Sequence, residues 1–187
     1  MINNYQIKFK WKEASASFLL KTMIKYIINN AYGSTIYQYD KTTQSSANNL
    51  SIIKKLCLKH LFTYDGYLKA VQKTFNKFHQ LPVYLNDNMI FIPIKRVRDY
   101  DNIWINYAQV ISSQKQNNKT LIIFKNYSQL EIDLKYQQWS DRIILAEAIK
   151  AYKHSILSLW YKCKFSETIF HKNERMNHQY KTLSLII

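Results

Sequence analysis

Two helical periods in succession, each basic on one side, constrain this chain more than any other feature. From Ile52 to His60 the apolar residues Ile52, Ile53, Leu56 and Cys57 recur at helical spacing, while Lys55 and Lys59 lie four apart on another side. A break follows at Thr63-Tyr64-Asp65-Gly66, where Gly66 offers a backbone conformation closed to other residues. Leu68, Val71, Phe75 and Phe78 then mark a second apolar face. At about 100° per residue, Lys69, Lys73 and Lys77 fall roughly opposite it. Each helix therefore buries one side and shows ammonium groups to water. A lysine row taken alone is equally well a solvated face. Here Asp65 is the only acid between Ser51 and Lys77, so the charge is hardly answered and points to a polyanionic partner.

The charge distribution sharpens that expectation. The 187 residues carry a formal net charge of +15. Residues 51–100 hold nine basic and three acidic side chains, whereas residues 101–150 hold six and five. The middle of the chain is the basic pole, suited to phosphate backbones or anionic membranes, since neutralising phosphates releases counterions. An apolar content of 47% argues against disorder, and the length suits one domain with a sizeable core. No apolar run approaches the roughly 20 residues of a membrane span, and the N-terminus lacks a signal peptide's apolar core and cleavage site. The expected location is intracellular, in the cytoplasm. With only two Gly and two Pro in the sequence, turns must rely on Asn and Asp.

Around the helices the period changes to two. Tyr5, Ile7, Phe9 and Trp11 alternate with Gln6, Lys8, Lys10 and Lys12, a strand with one apolar and one basic face. It suits an edge strand guarded by lysines as well as a surface touching a polyanion. Residues 18–28 fit helix and strand alike. Gly33 to Asp40 has β propensity, and Thr42 to Asn49 reads as a polar connection, with Asn49 or Ser51 capping the first helix. Leu81 to Leu85 and Met89 to Ile92 flank Asn86-Asp87-Asn88 as a hairpin, with Pro93 ending the second strand or setting it at an edge. Lys95-Arg96-Val97-Arg98 is a dense basic cluster on a loop. Further strands are expected at Ile103 to Ile105, Gln109 to Ile111, Thr120 to Phe124 and Leu130 to Leu134, with a hairpin turn at Asn126-Tyr127-Ser128. A long helix should start near Ser140, burying Ile144, Ala148, Ala151, Tyr152 and Leu159 and available for oligomer contacts. The expected architecture is α+β: one domain over residues 1–161 with an antiparallel sheet, two consecutive basic helices and a long C-terminal helix, then a divergent tail over 162–187.

Chemistry offers weaker alternatives. Asp133-Leu134-Lys135 has the spacing of a metal-dependent nuclease strand, with Asp99 or Asp101 as an upstream carboxylate, but such a tripeptide arises often by chance. Cys57 and His60 with Cys163 and His171 have spacings wrong for known structural zinc sites, and a buried thiol explains Cys57 as well. Neither a metal nor another cofactor is expected, and no nucleophilic or nucleotide-binding constellation is visible. The 15 tyrosines allow a single-stranded nucleic-acid binder whose rings stack on bases, with Tyr67, near Lys69, the first candidate. Cross-strand packing explains most of them equally.

The same segments, in the same order, occur in the ComK competence transcription factors of Gram-positive bacteria. The chain resembles that family through Gly33-Ser34-Thr35-Ile36-Tyr37-Gln38-Tyr39-Asp40-Lys41, Cys57, Tyr64-Asp65-Gly66 and Leu81-Pro82-Val83. The likeness continues in Phe91-Ile92-Pro93, Ile103-Trp104-Ile105-Asn106, Phe124-Lys125-Asn126 and Tyr136 with the helix after it. It covers about residues 33–152. The chain departs from the family in having Tyr67 where a basic residue commonly follows the glycine, and Tyr127 where a Gly is common. The resemblance implies a DNA-binding activator of DNA-uptake genes that acts on RNA polymerase indirectly and is associated with the nucleoid. It implies binding of paired A/T-rich boxes, largely through the minor groove, by homodimers or dimers of dimers, and removal through a Clp protease adaptor. A minor-groove reader needs cations that fit a narrow, strongly negative groove more than base-specific hydrogen bonds. Arg96 and Arg98 suit that role. Lys55, Lys59, Lys69, Lys73 and Lys77 suit phosphates, which give register without sequence information. Lys95 belongs with Arg96 and Arg98 to the loop cluster, which reads as a DNA contact or as a solvated loop.

Overall fold

The computed structural model describes residues 23–183, with side chains as far as residue 159. The expected strand at Tyr5 to Lys12 lies outside them. Residues 24–28, undecided from sequence, belong to a strand, β1 (Ile24–Asn30), which pairs antiparallel with β2 (Gly33–Gln38). The segment read as a polar connection contains β3 (Thr42–Ser45), which lies on the outer edge of β2. Its side chains are mostly exposed, so it needs backbone pairing and no apolar stripe. Gly33 sits at φ +133°, and a Cβ there would lie 2.2 Å from the Ser45 carbonyl oxygen, so this turn and the β2–β3 contact both require glycine.

The helix pair forms where expected. α1 (Asn49–Lys59) buries Ile52, Ile53 and Cys57, and α2 (Tyr64–Phe75) buries Tyr64, Tyr67 and Val71. The caps differ from the expectation. Asn48, rather than Asn49 or Ser51, caps α1 by accepting from the Ser51 N–H, and Thr63 caps α2 by accepting from the Gly66 N–H. Gly66 lies in the first turn of α2, and the left-handed residue of the connection is Leu61, at φ 65°. α2 closes on Asn76 at φ 50°, so Lys77 and the 61%-exposed Phe78 lie beyond the helix rather than on its two faces.

After α2 come β4 (Val83–Asn86), β5 (Met89–Pro93) and β6 (Ile103–Asn106), and the six strands form one antiparallel sheet in the order β3-β2-β1-β6-β5-β4. Pro93 is the last residue of an interior strand, opposite Trp104. A 3-10 turn at Tyr107–Gln109 leads to a second, three-stranded antiparallel sheet, β7 (Val110–Gln116), β8 (Lys119–Phe124) and β9 (Gln129–Ile132). The two sheets are tied by Lys25, whose Nζ donates to Ser128 Oγ at 2.8 Å over the Phe124 ring, and by Asn126, whose amide donates to the Tyr39 carbonyl. Asn106 is wholly buried with its side chain satisfied, donating to the Ile24 and Asn88 carbonyls and accepting from the Ile90 and Ala108 N–H groups.

The long helix α3 (Tyr136–Leu183) starts a turn earlier than expected and contacts both sheets. Its inward face is Trp139, Ala146 and Ile149, with Arg142 among them, so the expected inner face is corrected: Ile144, Ala148, Ala151, Tyr152 and Leu159 are exposed. Apolar residues at i, i+4 and i+7 occur on two sides of this helix, and the inward side carries an arginine that a hydrophobic pattern reads as outward. One contiguous core, including Ile27, Ile53, Phe91, Trp104, Phe124 and Trp139, joins the helices to the sheets in a single α+β domain.

Candidate nucleic-acid interface

The cations singled out from sequence divide into three groups. On α1, Lys55 and Lys59 are exposed, and on α2 so are Lys69 and Lys73. Lys77 is exposed just past the end of α2. Lys95, Arg96 and Arg98 lie on the β5–β6 loop, where Arg96 and Arg98 are exposed and Val97 between them packs on the core. Among the described residues, none of these cations except Lys95 has a carboxylate within ion-pair distance. Lys95 bonds Asp101 and lies 4.0 Å from Asp133. The hydrogen bond that Lys95 donates to Asp101 comes first in raising its pKa, so its charge is already answered beside the loop.

Three contacts make the elements that carry these groups neighbours. Lys54 on α1 meets Asp65 on α2 at 3.8 Å, so that pair of charges closes on itself and leaves the other lysines outward. Tyr64 and Leu68 of α2 share a cleft with Arg96 and Val97. Asn49, in the first turn of α1, donates to the Asn102 carbonyl at 2.6 Å.

The loop carrying the arginines is held at its base. Asn102 is wholly buried, and its Oδ1 accepts from the Ile94 N–H at 3.0 Å and the Lys95 N–H at 2.9 Å. Asp99 Oδ2 accepts from the Arg96 N–H at 3.2 Å, and the Asp99 N–H returns a bond to the Arg96 carbonyl, closing a four-residue turn from both sides. From behind, Arg142 of α3 donates to the carbonyls of Pro93 and Ile94 and to Gln80 Oε1. No carboxylate pairs with it among the described residues, and desolvation lowers its pKa to about 10. Arg96 and Arg98 therefore project from a pinned loop, a condition for presenting a charge at a defined place. Sequence reading missed these supports. An Asp three residues after Arg96 is a weak turn signal, and nothing in the period marks Asn102 or Arg142 as inward.

Other candidate chemistry is not assembled in this way. Tyr67, the stacking candidate, is 6% exposed, and its hydroxyl donates to the Pro82 carbonyl and accepts from the Tyr84 N–H, so the ring is a core strut. Cys57 is wholly buried, and burial pushes its thiol up to about 11. Among the described residues no group of three or more His, Cys, Asp or Glu is gathered, and no helix is long and apolar enough to cross a membrane. Cys163 and His171 lie where side chains are not described.

No curated protein and no solved structure matches the chain. A family model described as ComK protein matches residues 19–155, which takes in both sheets, the helix pair, the pinned loop and the start of α3. That match spans well over half of the chain, and the sequence belongs to the ComK family of competence transcription factors.

Proposed function

We propose that this chain is a non-enzymatic DNA-binding activator of DNA-uptake genes that holds A/T-rich duplex with its basic pole. In this reading Lys55, Lys59, Lys69, Lys73 and Lys77 bind phosphates, and Arg96 and Arg98 enter the minor groove. The observation that carries it is a pair of exposed guanidiniums with no carboxylate partner among the described residues, on a loop fixed by Asn102, Asp99 and Arg142, beside two helices whose Lys55, Lys59, Lys69 and Lys73 likewise have none there. A narrow A/T minor groove rewards such cations without base-specific donors or acceptors. In this reading Lys95, expected as a DNA contact within the loop cluster, closes the loop instead, because Asp101 and Asp133 answer its charge.

Membership in the family supports duplex DNA as the partner, and homodimers, tandem binding and a Clp protease adaptor belong to the same reading. Single-stranded binding by ring stacking is disfavoured by the burial of Tyr67. The test is a titration of A/T-rich duplex, G/C-rich duplex and single strand against purified protein at several salt concentrations. The proposal expects the A/T-rich duplex to bind tightest, with log affinity falling linearly in log salt. Equal affinity for all three would overturn it, as would metal-dependent cleavage abolished by Asp133→Ala.

A further inference from the structure

Asn29, near the end of β1, holds three other parts of the chain with one side chain. Its Oδ1 accepts from the Asn49 N–H at the start of α1 at 2.8 Å and from Ser34 Oγ of β2 at 3.0 Å. Its Nδ2 donates to the Tyr100 carbonyl of the β5–β6 loop at 2.8 Å. The β1–β2 turn and the arginine loop are therefore neighbours. Tyr32 follows Asn29 by three residues, at most about 11 Å of chain, and Tyr100 follows Arg98 by two, at most about 7 Å.

The turn is held as firmly as the loop. Asn30 Oδ1 accepts from the Tyr32 N–H at 2.8 Å, and Gly33 supplies the positive φ that closes the turn. At its tip Tyr32 is 90% exposed, and on the loop Tyr100 is 65% exposed. Among the described residues neither hydroxyl has a hydrogen-bond partner and neither ring stacks on another or on a cation. Single exposed tyrosines are ordinary on a surface. Two on adjoining tips, one of them two residues from Arg98, set flat amphipathic rings beside a guanidinium. The carboxylates next to Tyr100 are engaged, Asp99 with the Arg96 N–H and Asp101 with Lys95.

We propose that Tyr32 and Tyr100 are further DNA-contacting residues, and that this corner enters the A/T minor groove with Arg98 and lays the two rings against its deoxyribose walls. The inference rests on the proposed function and extends it from charge to an uncharged contact. A narrow A/T groove attracts the guanidinium by its potential. Rings on the sugars add packing that salt does not screen and that needs no base-specific hydrogen bond.

The experiment places the photocrosslinker p-benzoylphenylalanine at position 32 or 100 of the full chain, with position 127 as reference. Tyr127 is also highly exposed, but its turn is bonded at Lys25 and Tyr39, at the opposite end of β1 and β2 from Asn29. Irradiation with A/T-rich duplex should give crosslinked DNA from 32 and 100 and little from 127, and distamycin, which fills the minor groove, should suppress it. Tyr32→Ala and Tyr100→Ala should each weaken binding of that duplex about five- to tenfold, the lower end of aromatic contacts to nucleotides, with Tm and salt slope unchanged. Tyr127→Ala should bind as the native chain does. Native affinity in both Tyr32→Ala and Tyr100→Ala, or crosslinking from 127 as strong as from 32, would overturn the inference and leave DNA binding by the lysines and arginines standing. Crosslinks that persist with distamycin saturating the duplex would overturn the groove placement. Failure of the native chain to bind the duplex at all would bring down the proposed function and this inference together.

Discussion

Replacing Asn102 with alanine tests how the arginine loop is held, because the hydrogen bonds that would be lost can be counted. Its Oδ1 accepts from both the Ile94 and Lys95 N–H groups. Ile94 keeps a second acceptor in the Ile103 carbonyl at 3.0 Å, so only the Lys95 N–H loses its acceptor outright. An orphaned, part-buried N–H costs about 1–3 kcal/mol, and weakening the shared Ile94 bond adds roughly 0.5 kcal/mol. Against this, the Asn102 Nδ2 is itself buried with no partner among the described residues, and its removal returns about 1 kcal/mol. The cavity left by the amide adds about 1 kcal/mol. The net expectation is a loss of about 2 kcal/mol, or roughly 4–8 °C in Tm for a domain of this size. Urea and thermal denaturation read the stability, and duplex titration reads the consequence. Under the proposed function the A/T preference should fall while the salt slope, set by the helix lysines, stays. A Tm within 1 °C of the native value would refute the pinning argument. Unchanged A/T preference in a destabilised variant would separate the loop's anchoring from groove reading.

Other substitutions test the backbone and core. Gly33→Ala places a Cβ against the Ser45 carbonyl at a φ of +133°, and should cost about 2 kcal/mol or more by denaturation, since backbone on both sides has to move. Tyr127→Gly should stabilise by about 0.5–1 kcal/mol, because Tyr127 stands 79% exposed at φ 61° and loses little packing. Cys57 has its folded pKa raised, to about 11 from 9.0, so its contribution to stability is complete below pH 9 and is lost as pH rises towards 11. Denaturation across pH 8–11 should show that decline in the native chain and less of it in Cys57→Ala, measured against each protein's own value at pH 8.

The parts of this fold legible in the sequence are those where one apolar stripe has one place to go. Ile52, Ile53 and Cys57 on α1, and Val71 on α2, are buried as their period requires. The β4–β5 hairpin and the strand at Trp104 are legible for the same reason. β3 was not, because an edge strand exposed on its side chains carries no apolar alternation. The face of α3 was misread because Ile144, Ala148 and Ala151 mimic a buried stripe, while the true one passes through Arg142. At the candidate site the exposed cations could be named from charge density alone. Their ranking could not, since the pairing of Lys95 with Asp101 and the support from Asn102 exist only once the loop has closed.

The central claim is a division of labour within the basic pole, and a matched titration of Lys73→Ala and Arg96→Ala tests it most directly. Each variant is titrated with A/T-rich and G/C-rich duplex at several salt concentrations. Lys73→Ala should weaken both duplexes about equally and lower the magnitude of the salt slope by roughly one, as loss of a phosphate contact does. Arg96→Ala should instead shrink the A/T advantage, by something on the order of 1–3 kcal/mol. Identical behaviour of the two variants, with the A/T preference intact in both, would contradict groove reading and leave Arg96 as one more phosphate contact.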